Sequence, residues 1–325
     1  MSKYDKLQYD YVKRLIGEGI FKDDFEKNCR VAGADLHQVL CGFRQDTYRI
    51  FETEFQGRPY YATKAKYMQI NGISDKIICN DDSLKILVCA DTHFGSIKDN
   101  KHILTNVYNF CVINNIHHII IVGDVVEGND YYIPHKTDDQ LQYSLSPENQ
   151  LKYLSECIPY DSGITIHFLA ANHDLFSSTG FANDVMFQFI NAYNRKDIAI
   201  VGYDFAELPI NDSSIYLNHH ALDNINRVDL SYSTNLVLSG HSHMAEINVL
   251  NNDPMVIEKK VVSLSNIKHG EESSNNYTGF TVLEITFNKG DFDKFYLKDY
   301  KYNSPSEPPI CYGEGMRILT RRLTK

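Results

Sequence analysis

The residues L-K-I-L-V-C-A-D-T-H-F-G, from Leu84 to Gly95, join an apolar run to two side chains that commonly bind metals. The apolar part predicts a buried strand, and Asp91 and His93 follow it one residue apart. Because side chains alternate along an extended chain, both would point the same way if the chain stays extended beyond Ala90. A carboxylate beside an imidazole suits a transition metal such as Mn, Fe or Zn better than calcium, which prefers oxygen ligands.

The same arrangement recurs further along the chain, where apolar segments end in polar clusters. Asp124 and Glu127 follow the apolar segment 116–122. Asn172, His173 and Asp174 follow the segment 164–170, and His241 and His243 follow the segment 235–239. A shorter segment, 214–217, leads to His219 and His220. Ligands at the carboxyl ends of strands converge at one edge of an open α/β sheet. The sequence therefore predicts one shared site.

In chain order these motifs are D-x-H, G-D-x-x-E, N-H-D, a His after a strand, and G-H-x-H. Together they resemble the calcineurin-like metallophosphoesterase superfamily, in its repair-exonuclease and phosphodiesterase branch, over residues 84–300. Several motifs in the family's own order are far more specific than any one of them. The resemblance implies an α/β fold, a four-layer α/β/β/α sandwich, and a phosphoesterase that uses two divalent metal ions.

Hydrolysis of a phosphate ester needs a nucleophile at neutral pH and neutralisation of charge on the phosphoryl oxygens, which two metals about 3.5–4 Å apart supply. Asp124 is the expected bridging ligand, because it follows a buried strand and Gly123 permits a tight turn beneath the site. The resemblance assigns Asp91, His93 and His243 to the first ion, and Asn172, His219 and His241 to the second. His220 is the alternative to His219, which is preferred because the family places this ligand directly at the strand end.

The resemblance makes His173 a catalytic residue that contacts the substrate phosphate or protonates the leaving oxygen. That task matches an imidazole, whose unperturbed pKa is about 6.5. Glu127 stands where the family often has an Asp that orients this His, so we expect the Glu127 carboxylate on His173. Gly128 replaces the Arg of phosphoprotein phosphatases, which favours the phosphodiesterase and nuclease branch. Asp174 is expected to cap the next helix.

Residues 1–70 are predicted to form a separate, winged helix-turn-helix-like domain. Leu7, Tyr11 and Leu15, with Val12 and Ile16, form an apolar helical stripe, and two more short helices and a hairpin around Q-G-R-P follow. In this interpretation His37, Gln38 and Arg44 lie on or beside the recognition helix, and Arg58 lies at the tip of the wing. The alternative is a small helical domain that packs against the enzyme or against a second copy.

Residues 71–82 are the predicted linker, 83–302 the metallophosphoesterase domain and 303–325 a C-terminal tail. Segments 256–264 and 280–287 are expected to form strands of a second sheet. Residues 129–146 are longer than most loops, which indicates a functional segment. Its Tyr131, Tyr132 and His135 could stack on a base or sugar, or could cover the metal edge.

Charge and composition limit the partners. The net charge is −10, while residues 1–70 hold twelve Lys+Arg against ten Asp+Glu, so residues 71–325 carry −12. This charge argues against non-specific coating of nucleic acid, and its distribution favours docking of a polyanion through the N-terminal part. The seven cysteines are scattered without C-x-x-C, no apolar run approaches the length of a membrane span, and the N-terminus has no signal-peptide core. We therefore expect a reducing cytoplasm and no membrane partner.

The leading hypothesis is hydrolysis of phosphodiester bonds in DNA. One alternative is a small-molecule or cyclic-nucleotide phosphodiesterase, or a phosphomonoesterase. The other is a DNA-binding regulator whose inactive phosphoesterase fold serves as an interaction module.

Overall fold

A computed structural model describes residues 3–36, 39, 50–63, 66, 76–96, 99–127, 147–161, 163–174, 185–219, 234–252, 255–264, 277–304, 307–313 and 316–319. These residues form two compact units, one within 3–66 and the other within 76–319. None of the helices in these ranges is long and apolar enough to cross a membrane.

The N-terminal unit combines helices with a small antiparallel sheet. Its elements are α1 (Lys3–Ile16), β1 (Gly19–Phe21), α2 (Lys22–Val31), β2 (Ile50–Phe55) and β3 (Arg58–Thr63), with the sheet order β1-β3-β2. Gln56 and Gly57, with φ of 53° and 73°, join β2 to β3. Positive φ at both turn residues fits the twist of a two-residue hairpin. The sequence predicted this hairpin but not the short strand β1.

The inward face of α1 differs from the predicted stripe. Tyr9, Val12 and Ile16 are buried in the core of the unit, whereas Leu7, Tyr11 and Leu15 are exposed. Both sets have the three-to-four-residue spacing of a helix face. The apolar pattern therefore identified the helix correctly but assigned part of its inward face wrongly.

Four parallel strands form the centre of the C-terminal unit. β4 (Ser83–Cys89), β5 (His118–Val122), β6 (Thr165–Ala170) and β7 (Ile198–Tyr203) lie side by side in chain order. Helices α3 (Ile103–Asn114), α4 (Pro147–Cys157) and α5 (Val185–Ala192) connect them. The ring of Phe110 in α3 lies 4.9 Å from the rings of Phe280 and Tyr300, so α3 covers the outer face of this part of the sheet.

Further strands extend the sheet on both sides. Next to β4 come β13 (Gly279–Asn288) and β14 (Asp291–Lys301), with β15 (Ile310–Cys311) and β16 (Met316–Leu319) on β14. Beyond β7 come, in order, β8 (Phe205–Ile210), β9 (Ser213–Asn218), β10 (Thr234–Ser239), β12 (Met255–Lys260) and β11 (Glu246–Asn252). β7 pairs with β8 at Tyr203 and Phe205, on either side of Asp204, whose φ is 58°. The chain reverses its direction there, because β8 is antiparallel to β7.

The main core lies between the two halves of this folded sheet. Ile86 and Ile120 from the β4–β7 half share a buried cluster with Ile215 and Leu236 from the β8–β12 half. This arrangement confirms the predicted α/β sandwich. One strand assignment was wrong, because the segment 280–287 belongs to β13, which pairs with β4 of the first half.

Candidate metal centre

The polar loops that follow five strands meet at one edge of the sandwich. β4, β5 and β6 are parallel neighbours, and so are β9 and β10, which places their carboxyl ends together. Main-chain hydrogen bonds join the first two loops: the N–H groups of Asp91 and His93 donate to the carbonyls of Gly123 and Asp124, each at 3.0 Å. The loop with the D-x-H motif and the loop with the G-D-x-x-E motif are therefore hydrogen-bonded to each other.

Five of the candidate ligands have a left-handed main chain. Their φ angles are 54° for Asp91, 45° for His93, 52° for Asp124, 62° for His241 and 55° for His243. Residues other than glycine adopt this region rarely, at a cost of about 1–3 kcal/mol each, and they cluster at functional sites. The condition of an extended chain beyond Ala90 is therefore not met. Tight turns, rather than strand alternation, bring the two side chains together.

In the described part of the chain, the candidate ligand atoms form three overlapping clusters, each within 4.8 Å. The clusters are Asp91, His93 and His243; His93, Asp124 and His173; and Asp124, His219 and His241. His243 Nε2 lies 3.5 Å from Asp91 Oδ1, and His93 Nε2 lies 4.0 Å from Asp124 Oδ2. Two ligands that each lie about 2.0–2.2 Å from one tetrahedral ion are separated by a similar distance. The residues present therefore fit bound metal ions.

His219 directs a ring nitrogen at Asp124. Its Nδ1 donates to the carbonyl of Val122 at 2.9 Å, and its Nε2 lies 3.0 Å from Asp124 Oδ2. Burial lowers the pKa of His219, but the charge of Asp124 and a hydrogen bond to it outweigh burial and raise the pKa to about 10. Burial raises the pKa of the Asp124 carboxyl, but His219 and the neighbouring imidazoles bring that pKa well below its usual range. This buried carboxylate needs a positive charge beside it, which either a protonated His219 or a bound metal ion would supply.

Two glycines allow the ring of His219 to lie against the strand ends. Gly123 has a φ of 84°, and a Cβ on it would collide with His219 Nδ1 and with Ala171. A Cβ on Gly240 would collide with the carbonyl of Val122. The turn expected at Gly123 is present, and the close approach of His219 is a second reason for glycine there.

Asp174 holds the loop that carries Asp124. Its buried carboxylate accepts hydrogen bonds from four main-chain N–H groups, those of Asp124 at 3.0 Å, Val125 at 2.8 Å, Val126 at 3.2 Å and Ala171 at 2.8 Å. The sequence suggested a helix cap at this position. The four described partners lie on the loops after β5 and β6, while the segment that Asp174 was expected to cap lies outside the described residues.

Glu127 has a different partner from the expected one. Its carboxylate oxygen Oε2 lies 2.9 Å from Nδ1 of His93. His173 donates from Nδ1 to the main-chain carbonyl of Glu127 at 2.7 Å. The main chain of Glu127 therefore orients His173, while its longer side chain reaches the other imidazole.

Several candidate residues cannot be placed in the site. His37, Gln38 and Arg44, then Tyr131, Tyr132 and His135, and the alternative ligand His220 lie outside the described residues. Asn172 begins a 3-10 helix, Asn172–Asp174, and only its main chain is described. Arg58 begins β3, where its guanidinium lies 4.1 Å from the ring centroid of Phe21 and 3.7 Å from Asp23.

Other residues that support the site lie outside any motif. Ser263 Oγ donates to the carbonyl of Asp91 at 2.7 Å. Asp99 accepts hydrogen bonds from the N–H of Gly95 at 2.7 Å and from the hydroxyl of Tyr153 at 2.9 Å. No signal in the sequence marked these residues, because their partners come from distant segments.

A comparison with known protein families identifies the family of this chain. A profile described as calcineurin-like phosphoesterase matches residues 84–303, more than half of the chain. The chain belongs to the calcineurin-like phosphoesterase family, as the motifs indicated. Family membership and the His and Asp clusters define its class, a metallophosphoesterase.

The solved structures similar to this chain are distant. Yfce, a phosphoesterase from E. coli, is 15% identical over 73% of this chain and 100% of its own, with a TM-score of 0.42. A dimetal phosphatase from Danio rerio is 9% identical over 74% of this chain and 100% of its own, with a TM-score of 0.42. The Pseudomonas putida nuclease MPE is 12% identical over 72% of this chain and 96% of its own, with a TM-score of 0.32. A search of curated proteins found no match.

Proposed function

We propose that this metallophosphoesterase hydrolyses phosphodiester bonds, with DNA as its substrate, at a centre of two divalent ions. Asp91, His93 and His243 would hold one ion, Asn172, His219 and His241 the other, and Asp124 would bridge them. When bound, the two ions supply an activated water and neutralise charge on the phosphoryl oxygens. Nitrogen and oxygen donors without a thiolate suit Mn, Fe or Zn at a catalytic site.

The position of Asp124 is the main support for this proposal. Its Oδ2 lies 3.0 Å from His219 Nε2 and 4.0 Å from Nε2 of both His93 and His173. Its Oδ1 accepts the main-chain N–H of His173 at 3.2 Å. The carboxylate is 1% exposed and lies between the two sets of ligands, which is where a bridging ligand is required.

In this proposal His173 would act as the general acid. Its Nδ1 is held by the carbonyl of Glu127, so its Nε2 faces the carboxylate of Asp124. The side chain keeps 16% of its surface exposed, which leaves access for a substrate. An imidazole held in this way can deliver a proton to the leaving oxygen of a phosphodiester.

The N-terminal unit supports DNA as the substrate. The described elements α1, β1 and α2, followed by the hairpin β2–β3 with β1 paired to β3, are compatible with a winged helix-turn-helix, and most of the proposed recognition helix lies outside the described residues. Residues 1–70 carry +2, against −12 for residues 71–325. Phosphate groups would therefore be attracted to the N-terminal unit more than to the C-terminal one.

Hydrolysis assays on the full chain test the proposal. Protein loaded with Mn²⁺ should hydrolyse bis-p-nitrophenyl phosphate and labelled single- or double-stranded DNA. Asp124→Asn should abolish both activities, while Glu156→Gln, which changes an exposed carboxylate, should abolish neither. Hydrolysis of the small diester without cleavage of DNA would leave a small-molecule phosphodiesterase. DNA binding without hydrolysis in Mn, Fe, Zn or Mg would favour the regulator.

A further inference from the structure

Glu127 contacts two imidazoles with two different parts of the residue. Its side-chain Oε2 lies 2.9 Å from His93 Nδ1, and its main-chain carbonyl lies 2.7 Å from His173 Nδ1. The two rings are perpendicular neighbours, with centroids 5.0 Å apart. One residue therefore orients both a proposed metal ligand and the proposed acid.

The main chain of Glu127 is held independently of its side chain. Its N–H donates to the carbonyl of Phe94 at 3.0 Å, and the N–H of Phe94 donates to the carbonyl of Val125 at 2.8 Å. These bonds join the loop after β5 to the loop that carries His93. A change in the Glu127 side chain should therefore leave its carbonyl, and the hydrogen bond to His173, in place.

The carboxylate determines which nitrogen of His93 can bind a metal. A carboxylate oxygen only accepts, so the proton of a neutral ring stays on Nδ1 and Nε2 keeps its lone pair. Among the described residues His93 Nε2 is buried 4.0 Å from Asp124 Oδ2 without a hydrogen bond, while His93 Nδ1 lies within ion-pair distance of Glu127 Oε2, at 2.9 Å, without the alignment of a full hydrogen bond. A carboxylate on the far nitrogen fixes the tautomer of a ligating imidazole and raises its basicity.

We infer that Glu127 is a positioning residue for the metal ligand His93 through its carboxylate, and for His173 through its main chain alone. This inference rests on the proposed metal centre. The length of the side chain matters, because an Asp at this position is shorter by one C–C bond of about 1.5 Å and would not reach Nδ1 of His93 with the main chain in place.

Mn²⁺ binding to the full-length Glu127→Ala protein tests the role of the carboxylate, with calorimetry as the readout. We expect one of the two ions to bind 10–100-fold more weakly and the other to change less than 3-fold, because loss of such an orienting partner weakens the bound metal by about that factor. Glu127→Gln keeps an oxygen that can accept from Nδ1, so its loss should be smaller than that of Glu127→Ala. Glu127→Asp should behave like Glu127→Ala. Glu156→Gln is the matched control and should bind both ions like the wild type.

Nitrogen-15 spectra of the imidazoles in metal-free protein provide a second readout that needs no activity. In Glu127→Ala the His93 ring should lose its fixed Nδ1–H tautomer, while the His173 ring should keep its own. Unchanged metal affinity, or a His173 ring that changes together with His93, would overturn the inference. If the wild type bound none of Mn, Fe or Zn, the proposed function would fail, and the spectra alone would decide whether Glu127 sets the tautomer of His93.

Discussion

Replacement of Asp174 by Asn tests whether one buried carboxylate holds the loop that carries Asp124. Oδ2 accepts from the N–H groups of Asp124 and Ala171, and Oδ1 accepts from those of Val125 and Val126. An Asn side chain keeps one oxygen and presents an NH₂ group to the other pair of donors. Two of the four hydrogen bonds are therefore lost, whichever way the amide is turned.

The expected cost follows from these bonds. A hydrogen bond to a charged group contributes about 1.5–3 kcal/mol, so two such bonds contribute at least about 3 kcal/mol. Because the bonds share one carboxylate, their free energies do not simply add, so we take the lower value of about 3 kcal/mol as the cost. A cost of about 3 kcal/mol corresponds to a roughly 10²-fold increase in the local opening equilibrium.

Amide hydrogen exchange measures that equilibrium directly. In Asp174→Asn the amides of Asp124, Val125 and Val126 should exchange about 10²-fold faster than in the wild type, while those of β14 should not change. The variant should also bind less Mn²⁺, because the Asp124 loop is no longer held. Asp81→Asn, at an exposed position, is the control. Protection of 124–126 within 3-fold of the wild type would refute the assigned role of Asp174.

Three further predictions concern a glycine, a buried histidine and the proposed acid. Gly123→Ala should lose Mn²⁺ and stability, because a left-handed residue other than glycine costs about 1–2 kcal/mol and the new Cβ collides with the ring of His219. The control is Gly17→Ala, which is also at positive φ but has open space around it, and which should lose stability and keep the metal. Burial, and then a neighbouring imidazole, lower the pKa of His167 to about 3. The folded state therefore keeps this ring neutral while the unfolded chain protonates below about 6.5, so stability should fall by about 1.4 kcal/mol per pH unit as the pH drops from 6 to 4. Circular dichroism during urea unfolding should show a shallower fall in His167→Gln, and an unchanged slope would contradict the assignment. His173→Ala should lower turnover by about 10²–10⁴-fold with full metal content, whereas metal loss in this variant would identify His173 as a ligand.

The sequence predicted the architecture of the C-terminal unit because its strands are local apolar runs that end at polar motifs. The runs before Asp91, Asp124, Asn172 and His241 each became a parallel strand. Parallel neighbours then bring their carboxyl ends together, so the motifs meet at one edge.

The conformation of the ligands could not be predicted in the same way. The left-handed turns at Asp91 and His93 depend on main-chain bonds to the loop that carries Asp124. The partner of Glu127 depends on the length of one side chain and on the position of His93. Such features follow from contacts between distant segments, which periodicity and propensity do not contain.

Two errors in the fold have the same origin. The helix α1 carries two apolar sets with helical spacing, and only the partners of Tyr9, Val12 and Ile16 determine which set is buried. The sequence of β13 would fit a strand in either half of the sandwich. Its pairing with β4 joins segments that are far apart in the chain, so local sequence does not predict it.

The proposed function requires that two metal ions, bridged by Asp124, support phosphodiester hydrolysis by this chain. The most direct measurement follows bound Mn²⁺ and bis-p-nitrophenyl phosphate hydrolysis in the same titration of the full-length protein. Our account predicts that two ions bind per chain, that activity rises with the second ion, and that Asp124→Asn neither retains both ions nor turns over the substrate. Hydrolysis with one ion or none, or near wild-type turnover by Asp124→Asn, would contradict it.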